Sequence, residues 1–346
     1  MIKNQESDMP EANTGRGAGQ HRAVLAVEAE PLPEDQRPEP GPIAVLPHAE
    51  QAFIDAVEAS GGAVEPISDA TRGLVWLDYR DPEGFAAALE SHPAIGWVQL
   101  PFAGVDAFAR TIAAEARPGL IWTSAKGAYA QPVAEHALTL TLALLRVLPT
   151  RVRARSWATE PEGRSLYGMD VVIIGAGGIA LELIRLLEPF GVRITVVRRS
   201  SDPVAGAERT LPTDRLGEAL PSADVVVVAA ALTGGTRHLL GEEEFAAMKK
   251  SAVLVNIARG GLVDTDALLA ALREGRLAGA GLDVTDPEPL PDGHPLWDEP
   301  NCLITPHQAD TPEMVAPLLA ERVRLNVAAF LGDGRFVGLV DPEAGY

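Results

Sequence analysis

The chain has 346 residues, 47% hydrophobic and 22% charged, a balance suited to a globular protein of about two domains. Its 48 acidic side chains against 29 basic ones leave a formal charge of −19, which argues against nucleic-acid or anionic-membrane binding, since both require a basic surface. A single cysteine, Cys302, excludes an internal disulfide and a multi-cysteine zinc site, so no metal centre is expected, and no apolar run reaches the roughly 20 residues that span a bilayer. The start of the chain lacks the basic-then-apolar order of a secretory signal, so the expectation is a cytoplasmic enzyme in which any anionic ligand needs a locally basic site.

Residues 1–41 are polar and rich in Pro, Gly and Glu, and read as a disordered extension with no core of its own, whose removal should leave folding intact; residues 23–27 are a short apolar interruption. From Ile43 the pattern changes. Apolar bursts at 43–46, 64–67, 74–77 and 95–100 alternate with helical stretches at 49–60 and 83–90, which predicts a mostly parallel, helix-covered sheet. Residues 133–148 form a long helix candidate, apolar nearly all round and ended by Pro149, placed either between domains or against a second subunit. The next part is the most regular. Strands at 171–174, 194–197, 224–229, 253–257 and 280–284 alternate with helices at 179–190, 242–249 and 265–274, the βαβ order of a doubly wound sheet. A last helix is predicted over 313–331.

Between the first strand and helix of that regular part stands Gly175-Ala176-Gly177-Gly178-Ile179-Ala180, the G-x-G-x-x-A form of the dinucleotide fingerprint. Gly175 permits the tight turn, Gly177 lets backbone approach a pyrophosphate, and Gly178 and Ile179 open the helix whose N–H groups and dipole favour phosphate. An acidic residue that grips the ribose 2′-OH of NAD is usual at the end of the second strand. This chain has Arg198-Arg199-Ser200 there, and a guanidinium pairs with a 2′-phosphate, so NADP is favoured over NAD; the alternative is a pair of surface arginines with Asp202 on the ribose.

Three later segments place ionisable groups after strands. Arg259 follows 253–257, Asp283 lies at the end of 280–284 with Glu288 just beyond, and His307 follows another strand-like run. An arginine to hold a carboxylate, a histidine to move a proton and a carboxylate to keep it charged suit the reduction of a 2-oxo acid.

With those motifs in view the sequence resembles the D-isomer-specific 2-hydroxyacid dehydrogenases over about residues 43–335. The resemblance is carried by Gly-Ala-Gly-Gly-Ile-Ala, Leu-Thr-Gly-Gly-Thr-Arg-His-Leu-Leu, Met-Lys-Lys-Ser-Ala-Val-Leu-Val-Asn-Ile-Ala-Arg-Gly, Gly-Leu-Asp-Val and Thr-Pro-His, in that order. It implies an α/β fold of two doubly wound parallel-sheet domains. A Rossmann cofactor domain would span 126–307, and a discontinuous, flavodoxin-like substrate domain 42–125 and 308–340. Arg259, Glu288 and His307 would be the catalytic trio, with Asp283 and Ala258 at the nicotinamide carboxamide and Thr236 near the cofactor. Ala103 and Gly104 would offer amides to the substrate carboxylate, which Arg259 would also hold. A homodimer joined through the long helix is expected. The function implied is that of an NAD(P)-dependent 2-oxo-acid reductase of the glyoxylate/hydroxypyruvate type. Alternatives are a phosphoglycerate dehydrogenase-like enzyme without a regulatory domain and, from another class, a dinucleotide-sensing corepressor. A formate dehydrogenase pairs its histidine with glutamine, where this chain has Glu288. The run His307-Gln308-Ala309-Asp310 departs from the small residues usual after the histidine, so substrate preference does not carry over.

Overall fold

A computed structural model describes residues 21–157 and 160–342. They form two parallel sheets. The first contains β1 (Ile43–Leu46), β2 (Gly73–Trp76), β3 (Trp97–Gln99) and β4 (Ile121–Thr123), hydrogen-bonded in that order. A single parallel bridge joins Val64 to Ile43 on the free edge of β1. Counting that bridge as a vestigial second strand gives the order 2-1-3-4-5 of a flavodoxin-like sheet. The strand expected at 64–67 is reduced to this bridge, because Pro66 has no N–H to continue a ladder.

Alternate residues of these strands face opposite layers, as a period of two demands. Ile43, Val45, Val75 and Trp97 face α1 (Gln51–Glu58) and the last helix, while Ala44, Leu74, Trp76 and Val98 pack on α2 (Pro82–Ser91) and α3 (Ala109–Glu115) through Phe85, Leu89, Phe108 and Ile112. The last helix packs on α1 and β3, and Phe330 on it stacks on Trp97 at 5.3 Å and 29°.

Between the sheets run α4 (Ala130–Leu145) and α5 (Leu148–Arg153). The single helix expected over 133–148 is broken at Arg146–Val147, where Val147 takes φ +55° and Pro149 enters the first turn of α5. A proline there loses no helical hydrogen bond, so it starts a helix instead of only ending one.

The second sheet is β5 (Asp170–Ile174), β6 (Arg193–Arg198), β7 (Arg209–Pro212), β8 (Val225–Val228), β9 (Val253–Asn256), β10 (Gly279–Leu282) and β11 (Cys302–Ile304). Its order is β11-β10-β9-β8-β5-β6-β7, all parallel. This is the Rossmann order with one added edge strand, and it reverses between β5 and β8. Val171, Ile173, Val225, Val227, Val253 and Val255 face α4 and α6 (Gly178–Leu187). Val172, Ile174, Val226, Val228 and Leu254 face the opposite layer, formed by α7 (Glu242–Ala247) and α8 (Thr265–Arg273). The 20-residue α9 (Pro312–Leu331) returns the chain to the first sheet. Its Arg322 is buried and donates to the carbonyls of Ser124 and Lys126, tying the last helix to the segment that leads from β4 to α4. No helix among the described residues is long and apolar enough to cross a membrane.

The expected disordered extension needs correction over residues 21–41; its first 20 residues lie outside the described residues. Arg22 N–H donates to Gln131 Oε1 (2.6 Å), Val24 N–H to Gly127 O (2.8 Å) and Leu32 N–H to Gly334 O (3.4 Å). Pro38 is buried against Gly96. The segment is polar by composition yet satisfies its backbone on the body of the protein. Deleting residues 1–41 is therefore expected to cost about 2–4 kcal/mol, at about 1 kcal/mol per lost hydrogen bond plus the lost packing, and to lower the thermal midpoint by calorimetry. An unchanged midpoint would restore the view of a mere tail.

Candidate active site

The site residues are assembled by the carboxyl ends of parallel strands, where open α/β sheets leave a crevice. The fingerprint loop leaves β5 at Gly175, which takes φ +114°, and a Cβ there would fall 2.4 Å from Ala229 O in the chain after β8. Only glycine fits this turn. The Cβ position of Gly177 looks into open space, with no atom within 4 Å, at the amino end of α6. Gly178 is differently placed. A Cβ there would strike Val24 O at 2.1 Å, so its missing side chain admits the N-terminal segment. Ile179, half-buried, lies in the first turn of the same helix.

Arg198 ends β6 half-buried and Arg199 follows it, exposed. Ser200 Oγ donates to Asp202 Oδ2 (2.7 Å), so that carboxylate is already engaged locally. Lys126, from the segment before α4, has its ammonium held below its ordinary value by desolvation and by Arg199. A third cation thus stands near the end of β6, one that no motif marks because it arrives from the other side of the interdomain segment. Thr236 closes its own turn, accepting from Thr233 N–H (2.8 Å) and donating to Ala231 O (2.9 Å).

Past β9 the Asn256 side chain folds the chain back on itself, donating to Arg259 O (2.9 Å) and accepting from Ala258 N–H (3.1 Å). The turn projects Arg259 outward. Its Nη1 donates to Ala258 O (2.8 Å) and its Nε to Asp106 Oδ2 (2.8 Å), a residue beyond β3. Ala103 and Gly104 precede that aspartate, and Gly104 lies directly against the guanidinium. The two sheets therefore meet at this pair.

Asp283, 2% exposed, follows β10 and organises the neighbouring loop. Its Oδ1 accepts from Thr305 Oγ1 (2.7 Å) and Gln308 N–H (2.9 Å), its Oδ2 from Ala309 N–H (3.1 Å), and its carbonyl from His307 N–H (2.7 Å). Thr305 has a single hydroxyl proton, given to Asp283, so His136 Nε2 on α4, 2.9 Å away, is the donor in its contact with Thr305. These bonds hold His307 at φ +52°, a conformation that costs energy in any residue but glycine and persists only when its surroundings impose it. One lone pair of Oδ2 remains for a further donor.

So held, His307 sets Nδ1 2.6 Å from Glu288 Oε1. That hydrogen bond raises the imidazole above its ordinary value against the opposing effect of desolvation. The same bond lowers the Glu288 carboxyl, aided by the charges of His307 and Arg259. The imidazole, its carboxylate partner and Arg259 stand close enough to act on one another electrostatically, beside the backbone amides that donate to Asp283. Sequence reasoning brought forward Arg259, Glu288 and His307, and the fold brings all three together. Thr305 stood within the Thr-Pro-His motif and Asp106 beside the 103–104 loop, but sequence reasoning gave neither a role, and it missed Lys126 and His136, whose partners lie far along the chain.

Comparison with known proteins matches residues 138–309 to the family described as "D-isomer specific 2-hydroxyacid dehydrogenase, NAD binding domain". An uncharacterized protein of Corynebacterium melassecola is 38% identical over 87% of this chain and 99% of its own length. The glyoxylate reductase of Thermococcus gammatolerans is 37% identical over 62% of this chain and 67% of its own. Among solved structures, a D-isomer specific 2-hydroxyacid dehydrogenase from Xanthobacter autotrophicus Py2, in complex with NADPH and MES, is similar with a TM-score of 0.76 at 28% identity, over 89% of this chain and 100% of that one.

Exchanging Asp283 for Asn puts an NH₂ group against a donor that the carboxylate now accepts. The expected cost is about 2–3 kcal/mol of unfolding free energy, read by denaturant titration. A smaller loss than that of an exposed Asp→Asn control would contradict the organising role.

Proposed function

The chain belongs to the D-isomer specific 2-hydroxyacid dehydrogenase family and is an oxidoreductase acting on CH–OH groups, and we propose that it reduces small 2-oxo acids, using NADPH in preference to NADH. The observation that carries this reading is the His307–Glu288 pair beside Arg259, in a chain whose parallel sheet also carries the dinucleotide fingerprint at a strand end. The glyoxylate reductase activity named for the Thermococcus relative supports the substrate class.

The cradle fits a dinucleotide. The open space at Gly177 and the free amide end of α6 suit a pyrophosphate, and Ala258 and Asp283 each keep acceptor capacity for a carboxamide. When bound, the nicotinamide supplies a hydride to C2 of the oxo acid. Arg259 and the backbone at Ala103 and Gly104 hold the substrate carboxylate and orient the carbonyl. His307, charged through its bond to Glu288, gives its proton to the oxygen as negative charge develops there. Glu288 stabilises that imidazolium without moving a proton itself.

The preference for NADPH is supported by Arg198, Arg199 and Lys126 about the end of β6, where the Asp202 carboxylate accepts from Ser200. NADPH is also the cofactor in the Xanthobacter structure. The same reading includes a homodimer joined through the α4 region, supported by Leu148, Val152 and Trp157, which expose their side chains at and just beyond α5.

His307→Ala is expected to lower kcat for 2-oxo-acid reduction by about 10²–10⁴-fold with the fold intact by circular dichroism; retention of most activity would exclude it as the acid. Reduction needs the imidazolium, so the rate should hold up to the raised pKa of His307 and fall above it. Glu288→Gln removes the raising group, and the fall in the pH–rate profile should move to lower pH.

The cofactor reading is tested by steady-state kinetics with NADPH and NADH in parallel. NADPH is expected to be favoured by at least about tenfold in kcat/KM, equivalent to about 1.4 kcal/mol, with Arg198→Ser and Arg199→Ser together removing the difference. Equal values for the native chain would sink the arginine argument.

A further inference from the structure

The carboxylate-binding end of the site carries more acid than its reaction requires. Two cations, Arg259 and His307, stand among Asp106, Glu288, Asp283 and Asp310. Glu288 is matched to His307 and Asp283 is occupied with backbone. Asp106 and Asp310 have no such task in proton transfer.

Asp106 takes one edge of the guanidinium. Arg259 Nε points at its Oδ2 (2.8 Å) and Nη1 at Ala258 O (2.8 Å), which leaves Nη2 as the donor not committed to either. That nitrogen lies against Gly104, where a Cβ would come within 1.5 Å of it. A side-on grip of carboxylate by Nε and Nη2 is therefore closed by Asp106. What remains is one donor edge facing the 103–104 backbone, enough for a single carboxylate. Asp106 also cancels much of the arginine's charge beyond that contact.

Asp310 is half-buried on the other side. No described residue hydrogen-bonds to or ion-pairs with its carboxyl, and its electrostatic neighbours are His307, Asp283 and Tyr129. Tyr129 donates to Pro101 O (2.6 Å) and meets Phe102 edge-on at 6.2 Å, so Asp310 stands at the wall that carries the 103–104 loop. Burial pushes its carboxyl up to about 6, which leaves it ionised at pH 7.5.

Resting on the 2-oxo-acid reading above, we propose that this site is charge-matched to monoanionic 2-oxo acids and rejects those with a second anionic group at C3, with Asp106 and Asp310 imposing the selection. A substrate carboxylate at C1 meets Nη2 and backbone amides. A carboxylate or phosphate carried on C3 meets Asp310, while Arg259 is already shared with Asp106 and Ala258 O. A C3 hydroxyl, being a donor, is accepted there, so the site suits oxo acids with short apolar or hydroxylated tails. Both aspartates act on selectivity through charge; neither donates or receives the reacting proton.

The test uses the full chain with NADPH at pH 7.5 and substrates paired by carbon-chain length: 2-oxobutyrate against oxaloacetate, and hydroxypyruvate against phosphohydroxypyruvate. In each pair kcat/KM is expected to favour the monoanion by at least about hundredfold, the combined effect of two unscreened like charges. Asp310→Asn and Asp106→Asn should each raise the dianion-to-monoanion ratio by about tenfold, with Asp106→Asn also raising KM for both as Arg259 loosens. Damage to the fold would lower both substrates alike and leave the ratio unmoved. Equal use of the two members by the native chain, or a ratio unchanged in both variants, overturns the proposal. Should no 2-oxo acid be turned over, the reaction itself is misassigned, and calorimetric binding of D-2-hydroxybutyrate against D-malate in the presence of NADP⁺ still decides the charge preference: tighter binding of the monoanion supports it, and equal or tighter binding of D-malate overturns it.

Discussion

A buried carboxylate with nearly every lone pair occupied holds the loop of residues 305–309 in place. Asp283 stands at the end of a central strand, 2% exposed, and accepts from Thr305, Gln308 and Ala309 while its carbonyl accepts from His307. A polar group at such a depth is tolerated only when it is hydrogen-bonded. The loop that supplies the donors has little choice of path, and the path places His307 in a left-handed backbone conformation facing Glu288. The His307–Glu288 contact is thus a consequence of how one buried carboxylate is satisfied.

A second charge, that of Arg259, links the two halves of the cleft. Its partner Asp106 comes from the other sheet, and Gly104 makes room for the guanidinium. Arg322, buried on the last helix, donates to the carbonyls of Ser124 and Lys126 and so fixes the segment that leads from the first sheet into α4. In a chain of net charge −19 the few cations near the crevice are concentrated where an anionic cofactor and an anionic substrate would sit. At Asp106 one of the many acidic side chains meets such a cation directly.

Much of the fold was legible in advance because its signals are local. Runs such as Val171–Ile174 and Val225–Val228 are buried on both faces of a parallel sheet and read as continuous apolar segments. The fingerprint is legible because a turn with positive φ at Gly175 and an open approach at Gly177 each demand glycine. Short elements were lost: three-residue β4 and the edge strand β7 carry too few residues for a period to emerge. The break at Val147 was missed because proline is compatible both with ending one helix and with starting the next. Residues 21–41 looked unable to order themselves, and alone they have no core; their hydrogen bonds are to Gly127, Gln131 and Gly334, far along the chain.

The amino-acid sequence by itself determined the alternation of strands and helices, the turn that suits a dinucleotide, and the strand-end positions of Arg259, Glu288 and His307. Each of these follows from backbone geometry within a few residues. Only the tertiary structure decided which charges meet. Arg259 and Asp106 lie 153 positions apart, Asp283 and Ala309 26, and Lys126 reaches Arg199 from a different segment. No spacing rule predicts such contacts, since they form between loops and segments that only the packed chain brings together.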